Sequence, residues 1–235
     1  MFTKIAAYYD QLYHFRDYAG QAARVREQVH ERVPTARTLL DVGCGTGQHL
    51  HYLSSVFEVE GLDLNPDLLQ IARHRCPGVP LHEGDMVTFT LPRRYDVITC
   101  MFSSIAYVRT LDRMRAAVAN FARHLASGGL VLVEPWFTPE TFWTDTLTGN
   151  VADHGDLKIY WMYTSRRVDR LSILDIHYLV GQPSGVEHFT ERHEVGLFTN
   201  DEYLAAFRDA GLEPEHDPVG TSRRGLYLGR DGATS

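Results

Sequence analysis

Ten residues, Thr38-Leu39-Leu40-Asp41-Val42-Gly43-Cys44-Gly45-Thr46-Gly47, constrain this chain more than any other stretch. A short apolar run holds an acid, a loop with three alternating glycines follows, and a helix-like segment runs from Gln48 to about Ser54. Glycine has no Cβ, so such a loop can turn sharply and lay its backbone against a ligand. The turn opens a helix, whose unpaired N–H groups favour electronegative atoms such as a carboxylate. At the end of the next predicted strand, Val59-Glu60-Gly61-Leu62-Asp63 supplies an acid suited to both hydroxyls of a ribose. A lone glycine triplet is often only a structural turn. Here an acid precedes the loop and another ends the next strand, and the three together point to nucleotide binding.

The pattern resembles the signature of class I S-adenosylmethionine (SAM) methyltransferases, D-x-G-C-G-T-G followed by a strand-end acid. It differs from the dehydrogenase fingerprint G-x-G-x-x-G, because Gly43, Gly45 and Gly47 sit two apart. The fold implied is α/β, a Rossmann-like doubly wound sheet. A chain of 235 residues has room for that sheet and an elaboration.

Composition narrows the partners. A net charge of −7 argues against wrapping a nucleic-acid backbone, which needs a cationic face. A small anionic ligand held by one or two arginines stays open. Cys44, Cys76 and Cys100 are too few for a disulfide framework, and none has a C-x-x-C spacing that would hold zinc, so no metal is expected. No segment approaches the roughly 20 apolar residues of a membrane span. No cationic-then-apolar leader opens the chain. The expectation is a cytoplasmic protein that binds neither membrane nor nucleic acid.

Along the chain, residues from about Ile5 to Val33 read as helix, broken near His14-Phe15-Arg16. Its tyrosines are either packed core or, for Tyr13 and Tyr18, a lid over the cofactor. Strands follow at 39–42, 56–62, 79–82, 95–100 and 130–134, with a helix opened by Asn65-Pro66 and another over 111–125 closed by Gly128-Gly129. Four successive strand ends carry small or polar residues, as a ligand site at the carboxyl edge of an open sheet requires. Asp85 can accept from an adenine amine, with Met86 packed on the ring. From 151 to 198 the sequence alternates as three or four antiparallel strands, read as an auxiliary sheet inserted into a domain of residues 1–150 and 199–235. A helix from Thr199 and two edge strands close the chain. Exposed edges of the auxiliary sheet suit a homodimer. His124 reads as a surface residue, and His177 and His193 as structural sheet residues.

Beyond the loop, Gly84-Asp85-Met86, Cys100-Met101-Phe102-Ser103-Ser104-Ile105, Val133-Glu134-Pro135-Trp136, His177-Tyr178-Leu179-Val180, Leu197-Phe198 and Arg224-Gly225-Leu226 resemble the nucleotide-sugar N,N-dimethyltransferases over nearly the full length. Those enzymes make dimethylamino deoxysugars for macrolide antibiotics. The resemblance implies methyl transfer from SAM, leaving S-adenosylhomocysteine, to the amine of a thymidine-diphosphate (TDP) amino sugar, twice in succession. It assigns the cofactor to Asp41, Gly43, Gly45, Asp63, Leu64, Asp85, Met86 and Met101, beside the Tyr13 and Tyr18 lid read from the helix itself. It assigns the sugar nucleotide to Ser103, Ser104, Glu134, Trp136 and Arg224, the last on the diphosphate, where a planar fork of donors suits two phosphate oxygens. Phe2 stands where relatives place a tyrosine over the sugar.

Tyr107 is the candidate for orienting the amine or relaying its proton, against the plainer reading of a packed loop aromatic. Positioning carries most of the rate in an in-line methyl displacement. Two alternatives keep the donor site. One changes the acceptor to another small amine or hydroxyl, and the other is a SAM-binding protein without catalysis.

Overall fold

The computed structural model describes residues 4–232; Phe2 lies outside them. The chain opens with a 3-10 turn over Lys4–Tyr8, a short α1 (Tyr9–Leu12) and α2 (Tyr18–Arg32), so the helical N-terminus is broken around residues 13–17. Then come β1 (Thr38–Val42), α3 (Gln48–Leu53), β2 (Glu58–Asp63), α4 (Pro66–Arg75), β3 (Leu81–Glu83) and β4 (Tyr95–Cys100). A 3-10 turn over Ser104–Val108 leads to α5 (Leu111–Arg123) and β5 (Leu125–Val133). Strands β6 (Thr146–His154), β7 (Leu157–Val168), β8 (Leu171–Gln182) and β9 (Gly185–Gly196) follow, and α6 (Asn200–Asp209), β10 (Leu212–Asp217) and β11 (Leu226–Asp231) end the chain.

Seven strands form one sheet in the order β10-β11-β5-β4-β1-β2-β3. The strands β1 to β5 are mutually parallel and β11 runs antiparallel between β5 and β10. The central strands are apolar on both faces because helices cover both. On one side Met114, Ala117, Val118 and Phe121 of α5 pack on the sheet with no exposure, each large side chain contributing about 1.5–3 kcal/mol. Side-chain caps start the helices. Asn65 Oδ1 accepts from the Asp67 and Leu68 N–H groups before α4, and Thr199 and Glu202 form a reciprocal capping box on α6.

Two expectations fail here. Ala126–Gly129 does not close α5; it belongs to β5, where the register against β4 slips between Tyr95 and Val97. The helix ends instead at His124, which is buried rather than exposed: its ring lies against Phe89 and its Nε2 accepts from the Leu91 N–H at 3.1 Å. The helical spacing placed His124 at the end of an amphipathic run, where exposure follows from the neighbouring loop and not from the period.

The four strands β6 to β9 form a separate antiparallel sheet that starts at Thr146, earlier than the expected 151. Its inner face packs Ile159, Ile176, Tyr178 and Phe189 on Ile5 and Leu12 of the N-terminal arm. Arm and sheet together roof the carboxyl edge of the seven-stranded sheet.

Candidate active site

Two cavities meet under that roof. The first, about 750 Å³, lies over the glycine loop and is lined by Gly43, Gly45, Asp63, Leu64, Asp85 and Met86, among others. Gly43 has φ +74°, and a Cβ there would fall 2.6 Å from the Ser104 Cβ. Gly45 has φ +55°, and its Cβ would meet nothing within 4 Å, so a side chain would project into open space beside the loop.

The acids are arranged differently from one another. Asp63 accepts from the backbone N–H of Gly45 and of Asn65, both at 2.8 Å. Burial raises its carboxyl above the ordinary value while those donors oppose the rise. Asp41, expected on the cofactor, lies beneath the loop, 1% exposed, and lines neither cavity. Its Oδ1 accepts from the Thr99 hydroxyl at 2.8 Å, and its Oδ2 has no partner among the described residues. Burial pushes this carboxyl up to about 7, with the Thr99 bond opposing. A buried acceptor without a donor is costly, and a cationic ammonium would relieve it. Asp85 accepts from Arg113 at 2.7 Å and from the Val87 N–H at 2.9 Å. An oriented acid, an orphaned acid and an open backbone cradle fit a donor that carries both a nucleoside and an amino acid.

The second cavity, about 1270 Å³, lies under β6 to β9 and has aromatic walls that include Tyr13, Phe102, Trp136, Trp161 and Tyr178. Two arginines line it, Arg16 and Arg224. Arg224 donates to the Ser103 hydroxyl at 3.0 Å, and its guanidinium lies over Trp136 at 4.8 Å. Burial, then the charge of Arg16, lowers its pKa; a guanidinium stays charged all the same. Arg16 lies over Phe102 at 4.1 Å, and its Nε is buried without a partner among the described residues. Tyr9, Ser104 and Tyr107 line both cavities, so the two adjoin at these side chains.

A buried carboxylate holds the loops that carry the second cavity. Glu134 has no exposure. It accepts from the Phe102 N–H at 3.0 Å, from the Thr221 hydroxyl at 3.1 Å and from the Ser222 hydroxyl. Phe102, Ser103 and Arg223 all have positive φ without being glycine, a backbone strain of about 1–3 kcal/mol each that persists only where surroundings impose it.

Several expected site residues sit elsewhere. Met101 is 2% exposed and packs in the core with Leu39 and Val97, not on the cofactor cavity. The strand-end position was right, but the side chain points to the helix layer. Tyr18 packs its ring edge-on to His49 and lines neither cavity, because it starts α2 behind the break. Tyr13 lines the second cavity, not the first. Glu134 supports the second cavity from below rather than lining it. Tyr9, Arg16 and His193 line the site and were not singled out as ligands. Arg16 had a visible signal, a lone cation among aromatics at a helix break. His193 had none beyond an inward position on an alternating strand.

A family model described as a methyltransferase domain matches residues 39–129. A dTDP-4-amino-2,3,4,6-tetradeoxy-D-glucose N,N-dimethyltransferase from Saccharopolyspora spinosa is 43% identical over 91% of this chain and 86% of its own length. The chain belongs to the nucleotide-sugar N,N-dimethyltransferase family. A second such dimethyltransferase, acting on dTDP-3-amino-3,4,6-trideoxy-alpha-D-glucopyranose in Streptomyces venezuelae, is 41% identical over 91% of both chains. The SAM-bound structure of CalS10, an amino pentose methyltransferase from Micromonospora echinaspora, superposes with a TM-score of 0.88 at 37% identity, covering 98% of each chain. The dimethyltransferase fold accounts for both sheets, since these matches run through the inserted strands as well as the glycine loop. Among the described residues no helix is long and apolar enough to cross a membrane.

Proposed function

We propose that this enzyme transfers methyl groups from SAM to the amino group of a TDP-linked deoxy amino sugar, twice in succession, in antibiotic biosynthesis. The observation that carries the reading is that Tyr107, with Tyr9 and Ser104, belongs to the walls of both cavities. A donor over the glycine loop and an acceptor under the auxiliary sheet would therefore meet at one place. Bound SAM supplies a methyl on a sulfonium, which a neutral amine can displace.

Each part of the site has a role in this reading. Asp63 takes the ribose hydroxyls, Asp41 the donor's ammonium, and Asp85 with Met86 the adenine. Arg224 and Arg16, which line the same cavity, take the diphosphate. The aromatic walls cover the deoxygenated face of the sugar, where a fully hydroxylated hexose would leave polar groups unpaired. Holding donor and acceptor in line at the junction lets positioning contribute on the order of 7–11 kcal/mol to lowering the barrier.

The relatives differ in carrying the amine at C3 or C4, and both positions belong in a substrate panel. The enzyme is read as cytoplasmic, beside its activated sugar, with Cys44, Cys76 and Cys100 as free thiols. A homodimer through the auxiliary sheet would cover Leu147, Val151, Tyr160 and Met162, which are exposed on its outer face. Sedimentation of the native chain and of Met162→Lys tests it, a monomer in both opposing the reading. The acceptor is tested by competition: free TDP is expected to inhibit methylation competitively against the sugar nucleotide, and no inhibition contradicts a TDP sugar.

A further inference from the structure

Tyr107 does not stand alone in the wall it contributes. Its hydroxyl lies 2.7 Å from His193 Nδ1. His193 is 4% exposed, on β9, and lines the second cavity. Its Nε2 lies 3.5 Å from Oε2 of Glu191, two residues back on the same face of the strand. Glu191 is itself buried, and its Oε1 accepts from the Ile5 N–H at 3.2 Å, which ties the pair to the N-terminal arm. A carboxylate, an imidazole and a phenol thus run in line to the junction of the two cavities. The Glu191–His193 separation is that of an ion pair rather than a hydrogen bond, and a carboxylate at that distance attracts a positively charged neighbour.

We infer that Glu191, His193 and Tyr107 form a proton relay that takes the proton of the substrate's ammonium. The inference rests on the amino-sugar reading above. An alkyl amine reaches the site as its ammonium at neutral pH, and its lone pair is then occupied. The N–H proton passes to Tyr107 Oη as the phenol's own proton passes to His193 Nδ1. The imidazolium so formed keeps its Nε2–H toward the Glu191 carboxylate. The freed lone pair makes the new N–C bond while the methyl's C–S bond breaks, its electron pair staying on sulfur. The imidazolium then returns its proton to solvent between turnovers. A phenol facing a base in this way never carries full charge, which suits Tyr107, whose pKa burial holds well above the ordinary phenol value. Other titratable groups facing the relay are Tyr9 and Tyr13 on the arm, Tyr178 on β8 and Asp63 across the donor cavity. Arg16 and Arg224 line the same cavity. None of these is a better-placed base, since the tyrosines are held protonated by burial and Asp63 is committed to backbone donors.

His193 acts here through Tyr107 and is a positioning residue, so rate alone does not test it. His193→Gln and Tyr107→Phe should each lower kcat/KM roughly 10-fold at pH 7 and about 100-fold near pH 6, the inverse of the amine's neutral fraction. Both should approach wild type above about pH 8, where an amine of the α-amino kind is neutral unaided. A second readout needs no turnover. With S-adenosylhomocysteine and the TDP amino sugar bound, ¹⁵N NMR should show one histidine become imidazolium, absent in His193→Gln and abolished in Tyr107→Phe. A deficit equal at every pH, no deficit, or a neutral His193 in the wild-type complex would overturn the relay. If one variant misfolds, the other carries the test. A wild-type enzyme inactive on every TDP amino sugar would instead sink the functional reading.

Discussion

Arg224 Nη1 donates to the Ser103 hydroxyl at 3.0 Å, joining two loops that lie 121 residues apart in sequence. Ser103 in turn donates to the Pro135 carbonyl at 2.6 Å. The guanidinium is therefore fixed on one side by a loop and on another by Trp136, and Arg16 adds a second charge to the same cavity. Arg224→Ala is expected to raise the KM for the sugar nucleotide roughly 10- to 100-fold, the range of a charge-assisted hydrogen bond. S-adenosylhomocysteine affinity should stay unchanged. Lysine should rescue little, because it cannot present a planar fork or stack on Trp136. Steady-state kinetics with calorimetry of the by-product separates these effects.

Glu134 holds the Arg224 loop without touching the cavity. Glu134→Ala leaves the Phe102 N–H and two hydroxyls without their acceptor and removes what imposes positive φ on Phe102. Breaking a buried network of this kind costs about 2–4 kcal/mol, which urea unfolding will read. Glu134→Gln keeps the shape and one acceptor, so it should lose less stability while still raising the KM for the sugar nucleotide.

The Asp41 carboxyl gives a pH signature. Its folded pKa, about 7, lies above the ordinary carboxylate value. Burial therefore favours its protonated form, and the ligand-free fold is most favoured below the ordinary value. That contribution fades as pH rises toward 7. Asp41→Asn removes the titration and should raise the Tm at pH 8 by at least about 3 °C. The same change should weaken binding of S-adenosylhomocysteine about 10- to 100-fold, since a neutral amide replaces the partner of an ammonium. In the native enzyme, donor affinity should increase from pH 5 to about pH 7 as Asp41 ionises. Calorimetry across that range checks it, and a flat profile would separate Asp41 from the ammonium.

The seven-stranded sheet was legible because its signals are local. An apolar run, an acid and a glycine loop sit within ten residues, and Asn65 and Thr199 mark the starts of α4 and α6. Gly43, Gly45, Asp63, Leu64, Asp85 and Met86 were legible as neighbours and all line one cavity, whereas Asp41 and Met101 lie behind it. The acceptor side was less legible because it is built by contacts across the whole chain. Arg16 and Arg224 share a cavity only after the N-terminal arm folds back under β7 and β8. Tyr107 and His193 are 86 residues apart, and nothing in the alternation of β9 distinguishes His193 from a packed inward residue. Met101 shows the opposite limit. Its place at a strand end was readable, but the direction of its side chain was not.

One measurement reaches the core of this picture, the meeting of donor and acceptor at Tyr107. Purified enzyme, SAM and a panel of TDP-linked 3-amino and 4-amino deoxysugars should be followed by mass spectrometry over time. One methyl should appear first and a second later, both on nitrogen by fragmentation, with matching release of S-adenosylhomocysteine. Unmodified sugars across the whole panel, from enzyme that binds both SAM and TDP, would contradict a shared wall built for methyl transfer.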